Sequence, residues 1–189
     1  TIWDEDPEKA IRNAREQDAV IMHNHPGWRR KNLQMQEFEK KVYDADLIDG
    51  VEIMNGSEFY PTVVTRAQER GLFMAANTDA HKPTSHDWGA NSEFFRTMTF
   101  VLAKSCTEKD IKEALKKGRT IGYNANNPGG EESPVGKVLN QAVTWRVVAQ
   151  NSEKGTRTYS ITNNCSVPFI LRRGKTIYEL EPFRTTTVS

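Results

Sequence analysis

The sequence predicts an α/β chain whose helices and strands alternate over the first two-thirds before giving way to a small β-rich, sandwich-like module. Three observations lead there. Apolar residues recur at helical spacing in successive segments, and each such segment is followed, after a turn signal, by a short apolar run of strand length. Glycine, proline and N-capping residues punctuate the helices at their ends. Beyond residue 143, β-branched and aromatic residues come in short runs with no helical stripe.

Taken in order, Asp6 before Pro7 reads as an N-cap and first helical residue, with Ala10, Ile11 and Ala14 forming the apolar stripe of a helix that runs to about residue 17. A buried strand over 19–24 follows. Met35, Phe38 and Val42 recur at i, i+3 and i+7 within 32–43, and a turn at Asp49-Gly50 leads into a strand ending at Met54. Pro61 opens a third helix carrying Val63, Val64 and Ala67, Gly71 closes it, and 72–76 is again a short buried strand. After a looser stretch, 97–103 reads as a strand, Thr107 caps a helix ended by Gly118, and 119–123 returns as a strand. The turn-rich stretch 124–134 marks a boundary. It divides the chain into an α/β part over 1–126, a linker over 127–137 and a β module over 138–189, with strand breaks at Asn151-Ser152, Asn163-Asn164 and Arg173-Gly174.

Composition excludes several function classes. With 189 residues the chain holds one ordinary domain or one domain plus an appendage. Lys and Arg number 26 against 25 Asp and Glu, so no broad basic footprint for nucleic acid or anionic membrane exists. The longest apolar runs are about four residues where a membrane span needs roughly twenty, which predicts a soluble chain. Cys106 and Cys165 are far apart, which supports neither a zinc knuckle nor a disulfide framework and leaves the compartment open. The start, Thr1-Ile2-Trp3, has neither Met nor a signal-like apolar segment, so a piece of something longer is expected. Glycine-rich phosphate loops and the GxSxG elbow are absent, which disfavours kinases and serine hydrolases.

The main functional signal is the placement of the histidines. All four fall between positions 23 and 86. His25, Glu52 and Asp79 are spaced 27 residues apart, one βα repeat, so each is expected at a comparable place near the C-terminal end of successive parallel strands. In a β/α barrel those ends form the active-site rim. Any one of these residues alone is accounted for by the polarity of a loop start; the three together are harder to dismiss. His23, His25, Glu52, Asp79 and His81 are imidazole and carboxylate without thiolate, a donor set suited to zinc, manganese or iron. His23 with His25, and Asp79 with His81, stand at i, i+2 and share a face if extended.

Three stretches resemble, in order, the later motifs of the PHP (polymerase and histidinol phosphatase) family. They are Val20-Ile21-Met22-His23-Asn24-His25-Pro26-Gly27-Trp28, Asp49-Gly50-Val51-Glu52-Ile53-Met54-Asn55-Gly56 and Asn77-Thr78-Asp79-Ala80-His81-Lys82-Pro83. Arg119-Thr120-Ile121-Gly122-Tyr123 resembles the family's closing segment, so the match covers 1 to about 123. The resemblance implies a distorted, TIM-like β/α barrel binding two or three divalent metal ions and hydrolysing phosphate mono- or diesters. It implies catalytic and metal-binding roles for His25, Asp79 and His81. Glu52 matches a motif position whose ligand role the resemblance leaves open. His23 departs from the pattern and is either a group behind the ligands or an adventitious ligand. The family's opening HxH motif has no counterpart here, since no histidine precedes His23. The resemblance is therefore to the later half of such a barrel plus an appended β module, with the N-terminal half of the barrel expected as a missing partner.

Trp28-Arg29-Arg30-Lys31 follows the His-Pro pair, where cations could meet a substrate phosphate or simply be solvated; Arg29, Arg30 and Lys82 are the candidate substrate contacts. His86 reads as a loop residue and Tyr60 as core. In the β module, Trp145, Tyr159, Phe169, Tyr178 and Phe183 read as sandwich core ahead of a binding surface. Two functions follow from this reading. One is a metal-dependent phosphoesterase acting on a small phosphate ester, of which this chain is an incomplete portion. The alternative is a non-catalytic binding or scaffold fragment that works through its β module.

Overall fold

The computed structural model describes residues 2–30, 33–83, 86 and 95–189. Lys31 and residue 32, the expected start of the second helix, lie outside the described residues. Helix α1 (Pro7–Glu16) begins as its punctuation predicts: the Asp6 carboxylate accepts from the Glu8 N–H, and Pro7 takes a first-turn position where no N–H is needed. Strand β1 (Met22–His23), helix α2 (Glu37–Asp44), strand β2 (Gly50–Asn55), the two-residue strand β3 (Glu58–Phe59), helix α3 (Pro61–Arg70) and strand β4 (Phe73–Asn77) follow. Gly71 ends α3 at φ +64°, a left-handed conformation that costs an L side chain and that glycine adopts freely.

Strands β1 and β4 flank β2, both parallel to it, and β3 folds back antiparallel on its end. Met22 is in register with Gly50, and Gly50 with Phe73. The three strands therefore run in step, so whatever follows their C-terminal ends meets along one rim. A register shift between Glu52 and Met54 bulges β2 just after Glu52. Helix α3 covers β2 and β4, burying Val63 and Ala67 against Val51, Ile53, Met74 and Ala76. Helix α2 contributes Val42 and Tyr43 to a second cluster with Leu47, Ile48, Ile11 and Ile21. Tyr60 is core, as expected.

The parallel pattern stops after β4. Strands β5 (Met98–Val101), β6 (Thr120–Asn124) and β7 (Asn127–Gly129) pair antiparallel, with helix α4 (Glu108–Lys116) connecting the first two. Side chains bridge β4 to this second sheet. The Met74 N–H donates to Thr120 Oγ1 at 3.2 Å, and Thr99 Oγ1 accepts from the Ala76 N–H and donates to the Ala76 carbonyl, both at 2.8 Å. The edge of β4 is thus satisfied by hydroxyls instead of a backbone ladder. The described strands make up four sheets, and the chain is a mixed α/β structure dominated by strands.

The stretch 127–137, expected as a linker, instead holds β7 and the first half of helix α5 (Glu132–Ala142). Pro134 and Gly136 disguise the helix in sequence, yet Pro134 falls in the first turn where it is tolerated, and Val135, Val138, Leu139 and Ala142 keep the i, i+3, i+4, i+7 spacing. One apolar cluster crosses the expected boundary, joining Met98, Phe100 and Tyr123 to Leu139, Val167, Phe169 and Leu180. The Tyr123 hydroxyl donates to the Pro168 carbonyl at 2.5 Å.

Beyond α5, β8 (Val143–Asn151), β9 (Thr156–Asn163) and β12 (Thr185–Val188) form an antiparallel sheet, and β10 (Phe169–Arg173) with β11 (Thr176–Leu180) forms a hairpin. β8, β9 and β10 end at the three breaks read from the sequence. The expectation that Trp145, Tyr159, Phe169, Tyr178 and Phe183 form the core of this module fails in part. Phe169 is buried, but Trp145 is 67% exposed and Phe183 69%, because β8 is an edge strand and the second layer is only a two-stranded hairpin. Among the described residues no helix is long and apolar enough to cross a membrane.

Candidate functional site

The rim beyond β1, β2 and β4 brings His25, Glu52 and Asp79 together. Glu52 lies inside β2, not beyond its end, and its side chain is 1% exposed. A carboxylate taken so far out of water must be saturated with donors, and this one is. Its Oε2 accepts from the His25 backbone N–H at 2.6 Å and from Asn55 Nδ2 at 3.1 Å, while Oε1 accepts from Asn77 Nδ2 at 2.7 Å. His25 Nδ1 is 2.9 Å from Oε2. Nδ1 and Asn55 Nδ2, 2.7 Å apart, converge on that oxygen. Nδ1 therefore lies between an acceptor, Glu52 Oε2, and a donor, Asn55 Nδ2, and in the tautomer that donates to Glu52 the other ring nitrogen, Nε2, keeps its lone pair.

Nε2 faces Asp79. His25 is 40% exposed, and its Nε2 lies 3.6 Å from Asp79 Oδ1, on a side chain also 40% exposed. His25 and Asp79 both hold positive φ, +52° and +53°, conformations that cost a non-glycine residue and that gather at functional sites. His81 turns back on its own loop, its Nδ1 2.7 Å from the Asp79 carbonyl oxygen, and remains exposed. The structure does not bring His81 to the His25–Asp79 pair as a third donor. Among the described residues, no group of three or more His, Cys, Asp and Glu side chains is arranged to hold a metal ion. Zinc sites take three or four protein donors, so the two facing donors present here are one side of a coordination sphere and do not make a complete site.

His23 goes elsewhere. The shared face expected of His23 and His25 is lost because the backbone turns left-handed at His25. His23 Nδ1 meets the Tyr43 hydroxyl at 2.9 Å and Nε2 meets Glu39 Oε1 at 3.3 Å. Arg30 grips Glu39 with two bonds of 2.8 and 2.6 Å, and the Gln36 N–H adds a third at 2.8 Å. Burial pushes the His23 imidazole below its ordinary value against the pull of Glu39, and pushes the Tyr43 hydroxyl up to about 12. Burial also works to raise the Glu39 carboxyl, but the bonds from Arg30 and Gln36 outweigh it and hold the group below its usual range.

Of the candidate cations, Arg30 is therefore engaged by Glu39 and turned from a substrate role to a structural one. Arg29 is exposed with its guanidinium 4.5 Å from the Trp28 ring centroid, Lys82 is exposed on the loop after His81, and Lys31 lies outside the described residues. His86 is exposed and is helical where the sequence reading has a loop. Sequence reasoning missed Asn55, Asn77, Glu39 and Tyr43. The two asparagines were findable, since they end adjacent strands in register with each other. Glu39 and Tyr43 carry no such signal, being ordinary members of an amphipathic helix.

Comparison with known proteins adds an independent line. No family model and no curated protein matches the sequence. Among solved structures, a two-domain protein from Bacteroides vulgatus ATCC 8482, described as containing a predicted PHP-like metal-dependent phosphoesterase, superposes with a TM-score of 0.83 at 26% identity over 98% of this chain. The match covers 57% of that protein's chain, so this chain spans little more than half its length. The arrangement around His25 is thus carried on a chain similar to a protein with a predicted PHP-like metal-dependent phosphoesterase.

Proposed function

We propose that this chain is part of a metal-dependent phosphoesterase of PHP type, hydrolysing phosphate esters. In this reading His25 and Asp79 hold a divalent metal, Lys82 serves as a phosphate-facing cation, His81, which here turns back on its own loop, would have to swing round to add a further donor, and polypeptide outside this chain, the earlier half of a β/α barrel, completes the site. The observation that carries it is the His25 imidazole: Nδ1 anchored on buried Glu52, Nε2 presented to Asp79 across 3.6 Å. In the tautomer that donates Nδ1–H to Glu52, His25 offers its other nitrogen to Asp79 and is oriented as metal-ligating histidines are. Glu52 and His23 are left out of the ligand set because their polar atoms are already occupied. Imidazole with carboxylate and no thiolate suits zinc, manganese or iron. Two or three such ions, when bound, polarise phosphoryl oxygens and lower the pKa of a bound water.

The test uses metal and turnover separately. Elemental analysis after dialysis should find zinc or manganese held weakly and below stoichiometry by this chain, and His25→Ala or Asp79→Asn should abolish what is held. A tight stoichiometric site in the chain alone would contradict the incomplete set. In the longer parent protein, Asp79→Asn should lower hydrolysis of p-nitrophenyl phosphate or its bis-ester by orders of magnitude with circular dichroism unchanged. Near-normal rates at limiting metal would remove Asp79 from the site. The second reading, a scaffold fragment working through its β module, draws on the exposed apolar residues Trp145, Val147 and Val148 of edge strand β8. A parent that turns over neither ester with metal bound would favour it.

A further inference from the structure

Helix α5 carries an apolar stripe that the protein does not fully cover. Val135, Val138, Leu139 and Ala142 share one face, yet each is only half-buried and α5 holds no buried residue. Helix α3, by contrast, buries Val63 and Ala67 entirely. The stripe of α5 lines a chamber of about 400 Å³. Phe100 and Ile121 reach it from the paired strands β5 and β6, and Val167 reaches it from the β module. The chamber therefore lies at the seam between the α/β part and that module. Its walls are held in place without an occupant. Asn163, fully buried, donates its side-chain amide to the Val167 and Leu180 carbonyls, both at 2.8 Å, and the Tyr123 hydroxyl fastens the Pro168 carbonyl.

The lining sets the class of ligand. Among the described residues no charged side chain contributes to it. Two of its polar side chains are engaged within the protein: Thr99 Oγ1 is bonded to both the N–H and the carbonyl of Ala76, and the Cys165 thiol donates to Asn163 Oδ1 at 3.0 Å. The third, Ser166, is exposed. Water inside such walls lacks the polar partners that hold an interior water, so an apolar molecule displaces it at a gain. The volume falls within the range of about 300–1,000 Å³ typical of small-molecule sites. It is more than twice the void of about 150 Å³ that takes up benzene, which sizes the occupant at about fifteen non-hydrogen atoms. A helical partner does not fit, since two turns of a helix about 10 Å across fill roughly 800 Å³. We propose that this chamber binds a neutral, largely apolar small molecule of that size between α5 and the Val167 segment, with the Cys165 thiol on its wall. The inference does not depend on the phosphoesterase reading of the rim.

Titration of the chain with the neutral dye N-phenyl-1-naphthylamine, whose fluorescence rises in apolar surroundings, tests it. Binding should saturate at a single dye per chain. Naphthalene should displace the dye, and 1-naphthoate, the same ring bearing a carboxylate, should do so at least about tenfold less well, because the chamber offers that charge no partner. Val138→Phe places a ring in the chamber and should weaken dye binding about tenfold or more, whereas Trp145→Ala, at the exposed edge of β8, should leave it unchanged. With the exposed Cys106 removed as Cys106→Ser, saturating dye should slow alkylation of Cys165 by N-ethylmaleimide about fivefold or more. Absence of saturable binding, equal displacement by naphthoate, loss of binding in Trp145→Ala, or unchanged binding in a folded Val138→Phe overturns the proposal. So does an unchanged rate of Cys165 alkylation under saturating dye. Where circular dichroism shows Val138→Phe unfolded, protection of Cys165 decides by itself. Dye binding that falls as the chain dimerises in sedimentation assigns the chamber to a second copy and overturns the small-molecule site.

Discussion

His23 and His25 are two residues apart, on and just beyond one strand, and the structure gives them opposite fates. His23 has both ring nitrogens engaged, by Tyr43 and Glu39, and its side chain is 17% exposed. His25 has one nitrogen engaged by Glu52, the other facing Asp79, and is 40% exposed. Both clusters contain a carboxylate that gathers several donors. The difference is saturation: a cluster whose polar atoms all find partners inside the protein is structural, whereas one that leaves a lone pair at the surface can bind something else.

The sharpest way to break this contrast is to remove the buried carboxylates. Glu52→Ala strips the common acceptor from His25, Asn55 and Asn77 and leaves their N–H groups stranded in a site where Glu52 itself is fully buried. It should cost about 3–5 kcal/mol of stability by urea denaturation. A loss below about 1 kcal/mol would mean that Glu52 does not organise the rim. Glu52→Gln keeps the shape and should cost less.

Glu39→Gln comes next, at about 2–3 kcal/mol, smaller because Arg30 retains some exposure to water. It also carries a pH signature. The Glu39 carboxyl is held below the usual carboxylate range in the folded chain, so its contribution is present above the ordinary glutamate pKa of about 4.3 and is lost as pH falls from there through its folded pKa. Wild-type stability should therefore drop more steeply than that of Glu39→Gln between about pH 5 and pH 3. Parallel slopes would show that the Arg30–Glu39 pair is not formed in solution.

The smallest and most discriminating comparison sets His23→Ala beside His25→Ala. The first should cost about 1–2 kcal/mol, through the orphaned Tyr43 hydroxyl and Glu39 contact, and leave zinc retention unchanged. The second should cost about 1 kcal/mol or less, since the side chain is already 40% exposed, and abolish zinc retention. Identical behaviour of the two variants in both assays would erase the distinction between a closed and an open histidine.

Local rules decided much of this protein before any packing was considered. Asp6 and Pro7, Gly71, Thr107 and Gly118 bound their helices as capping chemistry dictates, and the equal spacing of His25, Glu52 and Asp79 anticipated three strands in step with a common rim. Those features depend on residues close in sequence or on a regular repeat, so they survive without tertiary information. What the repeat could not decide was where each side chain turns. The left-handed backbone at His25, the bulge at Glu52 and the arrival of Glu39 and Tyr43 from α2 separate a closed histidine from an open one, and each depends on contacts between distant segments. Helix α5 shows the same limit: its apolar stripe is written in the sequence, but Pro134 and Gly136 mask it, and only packing of Leu139 against Phe169 and Tyr123 makes the helix worth forming. Side-chain direction and marginal helices are settled by long-range burial, and a linear pattern does not contain it.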